Sequence, residues 1–146
     1  MKNRILIIFL ILIFNTNSLS IASSDEFTFR VTDLEILENN TIYKGNNRGK
    51  IITDTQVELE SDNFIYLEKI NRLETNGNVI LTDIRNNVII KAEKMFYLKS
   101  EEIIYTLGKT FVNVDGQYDI VGYDVTFLKN KMILSSNKET TITDIN

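Results

Sequence analysis

Three segments of this chain align in register without gaps: VELESDNFIYL from Val57, VIIKAEKMFYL from Val88 and YDIVGYDVTFL from Tyr118. In each, apolar residues first alternate with other types (Val57/Leu59, Val88/Ile90, Tyr118/Ile120), which is the period of a half-buried strand. A small residue follows, Ser61, Ala92 or Gly122, and three positions later the apolar series resumes out of step at Phe64/Tyr66, Met95/Tyr97 and Val125/Phe127. A step of three in a period of two throws side chains onto the wrong face unless a bulge or corner turns the strand at the small residue. The pattern therefore predicts strands bent at a corner, and few architectures accommodate them.

After each bent strand a polar turn leads into another strand: EKINRLETNGNVILTD, KSEEIIYTLGKTFVNVD and, less faithfully, KNKMILSSNKETTITD. Gly108 stands 31 positions after Gly77 (108 − 77), a spacing typical of chains built by stacking one supersecondary unit. A fainter unit, FTFRVTDLEILENNTIYKGNNRGKIITD, precedes these, with Phe27, Phe29 and Val31 alternating. No segment carries an apolar stripe at helical spacing; EKMFYLKSEEIIY comes nearest, and its alignment with the neighbouring copies predicts strand. Units of this kind cannot each bury their own apolar face, so they stack and share one interior.

The expected fold is all-β: stacked, corner-bent antiparallel strands forming a twisted, partly open β-jellyroll. Residues 23–146 form a single domain of about three and a half repeats. Its interior is expected to be lined by Val57, Leu59, Phe64, Tyr66, Leu73, Val79, Leu81, Val88, Ile90, Met95, Tyr97, Ile104, Val112, Ile120, Val125 and Phe127. These side chains either pack against one another or line an open apolar trough. The small corner residues and the low layer count lean toward the trough. ITDIN at the C-terminus repeats LTDIR at Leu81 to Arg85, so an edge strand without a mate is expected there.

The chain opens with Lys2 and Arg4 before an apolar run from Ile5 to Phe14, and Ser20 and Ala22 suit a cleavage after Ala22. Residues 1–22 are thus expected to be a secretory signal; the alternative, a retained anchor, is disfavoured because the run is about half of the roughly 20 residues a spanning helix needs. Removing the signal leaves 14 basic residues (16 − 2) against 20 acidic ones, scattered among each other. Such a surface is unsuited to a phosphate backbone, so no nucleic-acid partner is expected. With no Cys, an exported chain must rely on packing instead of disulfides.

No enzyme is expected. Nucleophilic and acid–base catalysis most often draws on His or Cys, and the chain has neither. Glu58/Glu60, Asp62 and Glu101/Glu102 could pair as carboxylates, but their strand and turn positions predict solvated faces. Zinc would want Cys or His, and the run from Asp115 to Asp119 lacks the spacing of a calcium loop, so neither metal nor cofactor is expected. Gly77 and Gly108 stand alone before strands and are expected to open or bulge them; cradling phosphate needs clustered glycines before a helix.

The recurring unit, seen as SDNFIY…TNGNVILTD and AEKMFY…TLGKTFVNVD, resembles the repeat of the OstA-like lipopolysaccharide transport family, over roughly Phe27 to Asp144. That group includes the periplasmic protein LptA and the N-terminal domain of LptD. The resemblance implies a β-jellyroll whose apolar groove takes the acyl chains of lipopolysaccharide, and end-to-end joining with homologous jellyrolls through edge strands. It also implies a periplasmic location, with association at the outer membrane left open, and a role in outer-membrane assembly. The first unit is degenerate, and Gly122-Tyr123 stands where Ser61-Asp62 and Ala92-Glu93 do, so bridge protein and LptD-type domain are not separated. A secreted structural or adhesive β-repeat protein with a self-filled core is the competing reading.

Overall fold

At Asp62, Gly77, Gly108 and Asp124 the backbone turns through a corner, and these corners fold one long antiparallel sheet over on itself. The computed structural model describes residues 20–23 and 26–145. The expected signal lies outside the described residues except for its last positions, from Ser20. The first strands are β1 (Ser20–Ser23), β2 (Phe27–Val31), β3 (Asp33–Leu37), β4 (Ile42–Asn46) and β5 (Gly49–Thr53). Then come β6 (Val57–Ser61), β7 (Asn63–Leu67), β8 (Arg72–Asp83), β9 (Val88–Leu98) and β10 (Ile103–Leu107). The chain finishes with β11 (Lys109–Val114), β12 (Tyr118–Tyr123), β13 (Thr126–Leu128), β14 (Ile133–Ser135) and β15 (Thr141–Asp144).

The strands form two facing layers of one sheet that does not close into a barrel. The first layer runs β1-β2-β5-β6, the C-terminal half of β8, the N-terminal half of β9, then β11-β12-β15. The second runs β3-β4-β7, the other halves of β8 and β9, then β10-β13-β14. Most of the chain passes from layer to layer at each corner, and β8 and β9 do so without a break in the strand. The sequence expectation of corner-bent strands holds. Burial switches phase where the apolar series does, from Ser61 to Phe64 and from Gly122 to Val125.

The corners are stitched together by the acid that follows the small residue. The Asp62 amide donates to the Gly77 carbonyl at 2.9 Å, and the Asp124 amide to the Gly108 carbonyl at 3.0 Å. Asn78 Nδ2 donates to the Asp62 carboxylate at 2.7 Å, and the Asp124 carboxylate accepts from the Gly108 amide at 2.8 Å. The register of β8 against β9 shifts between Asn76 and Val79, the bulge expected at Gly77.

Both glycines have φ of +83°, but their surroundings differ. A Cβ on Gly77 would stand 2.6 Å from Asp62 Oδ2 and 2.9 Å from its Cβ, whereas one on Gly108 would meet nothing within 4 Å. Gly108→Ala is therefore expected to cost about 1 kcal/mol of backbone strain. Gly77→Ala adds displacement of the Asp62 stitch, for about 2–3 kcal/mol in all. Urea midpoints of the two variants check this; equal losses would show that crowding at Asp62 is irrelevant.

Opposite the corners lie the hairpin turns. In the second layer three of them share one construction: a single 3₁₀ turn (Glu68–Ile70, Lys99–Glu101, Lys129–Lys131) and then a left-handed residue. Asn71, Glu102 and Met132 fill that position with φ of 47°, 53° and 52°. These turns face the first-layer turns across the open side of the fold.

Candidate functional site: a sealed interior between two apolar ladders

Strand pairing places one inward residue from every strand in line. In the first layer the registers link Ala22, Phe29, Ile51, Leu59, Leu81, Ile90, Val112, Ile120 and Ile142. In the second they link Ile36, Tyr43, Tyr66, Leu73, Tyr97, Ile104, Phe127 and Leu134. Apolar side chains alternate with outward ones along each strand, so each layer presents an unbroken apolar ladder to the other.

The residues expected to line the interior do so. Leu59, Leu81, Ile90, Val112, Tyr66, Leu73, Tyr97, Ile104 and Phe127 are ladder rungs, and Val57, Phe64, Val79, Val88, Met95 and Val125 flank them; all are buried. Ile120 is a rung that is only partly buried. Sequence reasoning left out Phe27, Phe29, Val31, Tyr43 and Ile51, which extend the same core toward the N-terminus. Alternation in FTFRV was the available signal. Phe29 stacks on Phe64 and on Tyr43 with ring centroids 5.2 Å apart in both pairs, which fills that end with aromatic rings.

Between the layers the side chains therefore pack on one another instead of bordering an open trough. Concavities occur elsewhere, one of about 430 Å³ on the outside of the first layer around Ile89, Lys91, Phe111 and Val121. The ladders become uncovered at opposite corners of the molecule. Ile142 is inward-facing yet 65% exposed, and Ile36 is 45% exposed, because β15 and β3 are paired on one side only among the described residues.

Along the open side the two layers are held by charge. Lys99 Nζ lies 3.0 Å from Glu102 Oε1 and 3.2 Å from Asp54 Oδ1, with Glu26 at 4.0 Å. Lys129 Nζ lies 2.8 Å from Glu102 Oε2, 3.4 Å from Thr55 Oγ1 and 3.9 Å from Asp83 Oδ2. Asn71 Nδ2 donates to Glu26 at 2.7 Å, and the Tyr97 hydroxyl donates to Glu102 at 2.9 Å. Glu26, Asp54 and Thr55 lie in first-layer turns and Asp83 ends β8 in that layer, so each of these contacts except those to Glu102 bridges the seam. Lys99 and Lys129 are only 8% exposed and Asp83 is fully covered.

This corrects the expectation of a solvated face for Glu102. Burial raises its pKa, but hydrogen bonds from Lys129, Lys99 and Tyr97 outweigh that and hold it below the ordinary carboxylate value. Burial alone would lower the Lys99 pKa; Glu102 and Asp54 reverse this and raise it. Burial, followed by the Glu102 charge, pushes the Tyr97 phenol far up, so it stays a donor. Glu58 and Glu60 do face outward, paired with Lys50 at 2.8 and 3.2 Å. Among the described residues no group of three or more His, Cys, Asp or Glu could hold a metal ion.

No family model matches the sequence, and no curated protein sequence matches it. The structure, by contrast, is similar to the crystal structure of LptH from Pseudomonas aeruginosa, with a TM-score of 0.70 over 80% of this chain and 93% of that one. The fold is the OstA-like jellyroll. LptH is described as the LptA-homologous periplasmic component of the conserved lipopolysaccharide transport device. The two chains are 7% identical, so the likeness is one of fold.

Proposed function

We propose that this chain is a periplasmic module that binds lipopolysaccharide and passes it toward the outer membrane in support of outer-membrane assembly. The observation that carries this reading is the pair of unbroken apolar ladders inside a fold shared with a lipopolysaccharide-transport component. A carrier must hide acyl chains from water, and each hidden methylene contributes about 0.8 kcal/mol. Ladders that cross every strand offer such cover along the whole molecule.

Partners in this reading are homologous jellyrolls joined end to end. Among the described residues β15 and β3 are each paired with one strand, beside uncovered apolar rungs, which favours strand addition at those edges. Cleavage after Ala22 would remove three of the four residues of β1 and free the outer edge of β2 as well.

The filled interior favours a second reading, a secreted structural or adhesive repeat protein that binds no lipid. Photo-crosslinking in a Gram-negative cell separates the two, with the probe at inward Ile120 and, as control, at outward Val121. A lipopolysaccharide adduct at Ile120 alone is the expected result. No adduct at either position, from a folded and exported protein, would leave the structural repeat standing.

A further inference from the structure

We propose that the ion-pair chain through Lys99, Glu102, Lys129 and Asp83 is a latch that must part before an acyl chain can reach the interior; this rests on the carrier reading above. The layers are joined through the backbone at every corner and stitched there by Asp62 and Asp124. They can separate only on the opposite side, where among the described residues no strand pairing crosses and the two layers meet through these charges.

The interior leaves an acyl chain no alternative. Its side chains are packed, protein interiors have the density of organic crystals, and a flexible hydrocarbon cannot be added without moving the walls apart. Coverage falls off at both ends of the ladders, at Ile36 on one and at Ile120, Leu134 and Ile142 on the other. Lys129 is the latch residue nearest the C-terminal end, in the turn between β13 and β14.

The chemistry suits a closure that must reopen. An apolar seam of the same volume would hold as well or better, since charges removed from water recover little net stability from their pairing. Charged partners, once separated, are rehydrated, so the open state is not penalised by exposed hydrocarbon at the mouth.

The test uses the absence of cysteine in the chain. Asp54→Cys and Ser100→Cys place two thiols on facing turns, both exposed; Lys99, Lys129 and Glu102 are kept, and loss of the Asp54–Lys99 pair is common to the bridged and the capped protein. Bridging them with a short bismaleimide is expected to slow uptake of a fluorescein-labelled lipopolysaccharide by about tenfold or more relative to the same protein capped with a monomaleimide. Glu102→Gln, verified as folded by near-UV circular dichroism, is expected to take up the label several-fold faster than the unaltered chain; if it does not fold, the bridged pair decides alone. Equal rates for bridged and capped protein overturn the latch and leave the carrier reading intact. No uptake by the capped or unaltered protein overturns the carrier reading, and the latch with it.

Discussion

Phe29→Ala should lower the stability of the folded chain by about 3–5 kcal/mol, a large part of the roughly 5–15 kcal/mol available to a domain. Phe29 is completely buried, and its ring contacts reach across the fold. It sits on β2 in the first layer; Tyr43 and Phe64, which stack on it, and Tyr66, which tilts against it, sit in the second. Truncation removes both the ring's burial and the contacts that join the layers, and backbone tied at the corners cannot collapse fully into the gap. Urea unfolding should show a lower midpoint with an unchanged slope. Phe111→Ala, on the exposed outer face, is the control and should change stability by no more than about 0.5 kcal/mol. A loss below 1 kcal/mol for Phe29→Ala would show that the aromatic end is loosely packed.

Glu102→Ala should cost about 3 kcal/mol at neutral pH, because it leaves Lys99 and Lys129 covered but short of their shared carboxylate. The effect has a definite pH window. The Glu102 pKa is depressed below 4.5 in the folded chain, so its contribution is complete above that value and is lost as pH falls through the lower folded one. The Lys99 pKa is raised above 10.5, so its contribution is complete below that value and is lost as pH rises through the higher folded one. Between these limits the stability gap between the unaltered chain and Glu102→Ala should be flat, and it should shrink in acid. Urea midpoints of both proteins at pH 7 and at pH 3 check this. A gap that persists at pH 3 would assign the loss to packing of the glutamate stem, not to its charge.

The alternation in VELES and VIIKA was enough to say which side chains face inward, because a strand sends successive side chains to opposite faces whatever its neighbours are. The three-residue step at Ser61, Ala92 and Gly122 was enough to place the corners, because only a bend returns Phe64, Met95 and Val125 to the inner face. Those two local rules predicted every interior residue named from the repeat, with Ile120 alone less covered than the rest. Phe29 and Tyr43 escaped because the first unit matches the others poorly and offered alternation without register.

What closes the fold was not legible. EKIN, KSEE and KNKM read as ordinary polar turns, and nothing in them shows that Lys129 will meet Thr55, 74 positions away, or Asn71 meet Glu26, 45 positions away. The sequence by itself determined the inward rows and the corners, since both follow from the period of a single strand. Only the tertiary structure decided that the interior is filled by its own side chains instead of open, and that Glu102 is mostly covered instead of solvated. Both depend on how far one layer rolls over the other, and that is settled by the sum of contacts between residues remote in sequence, to which no local pattern responds.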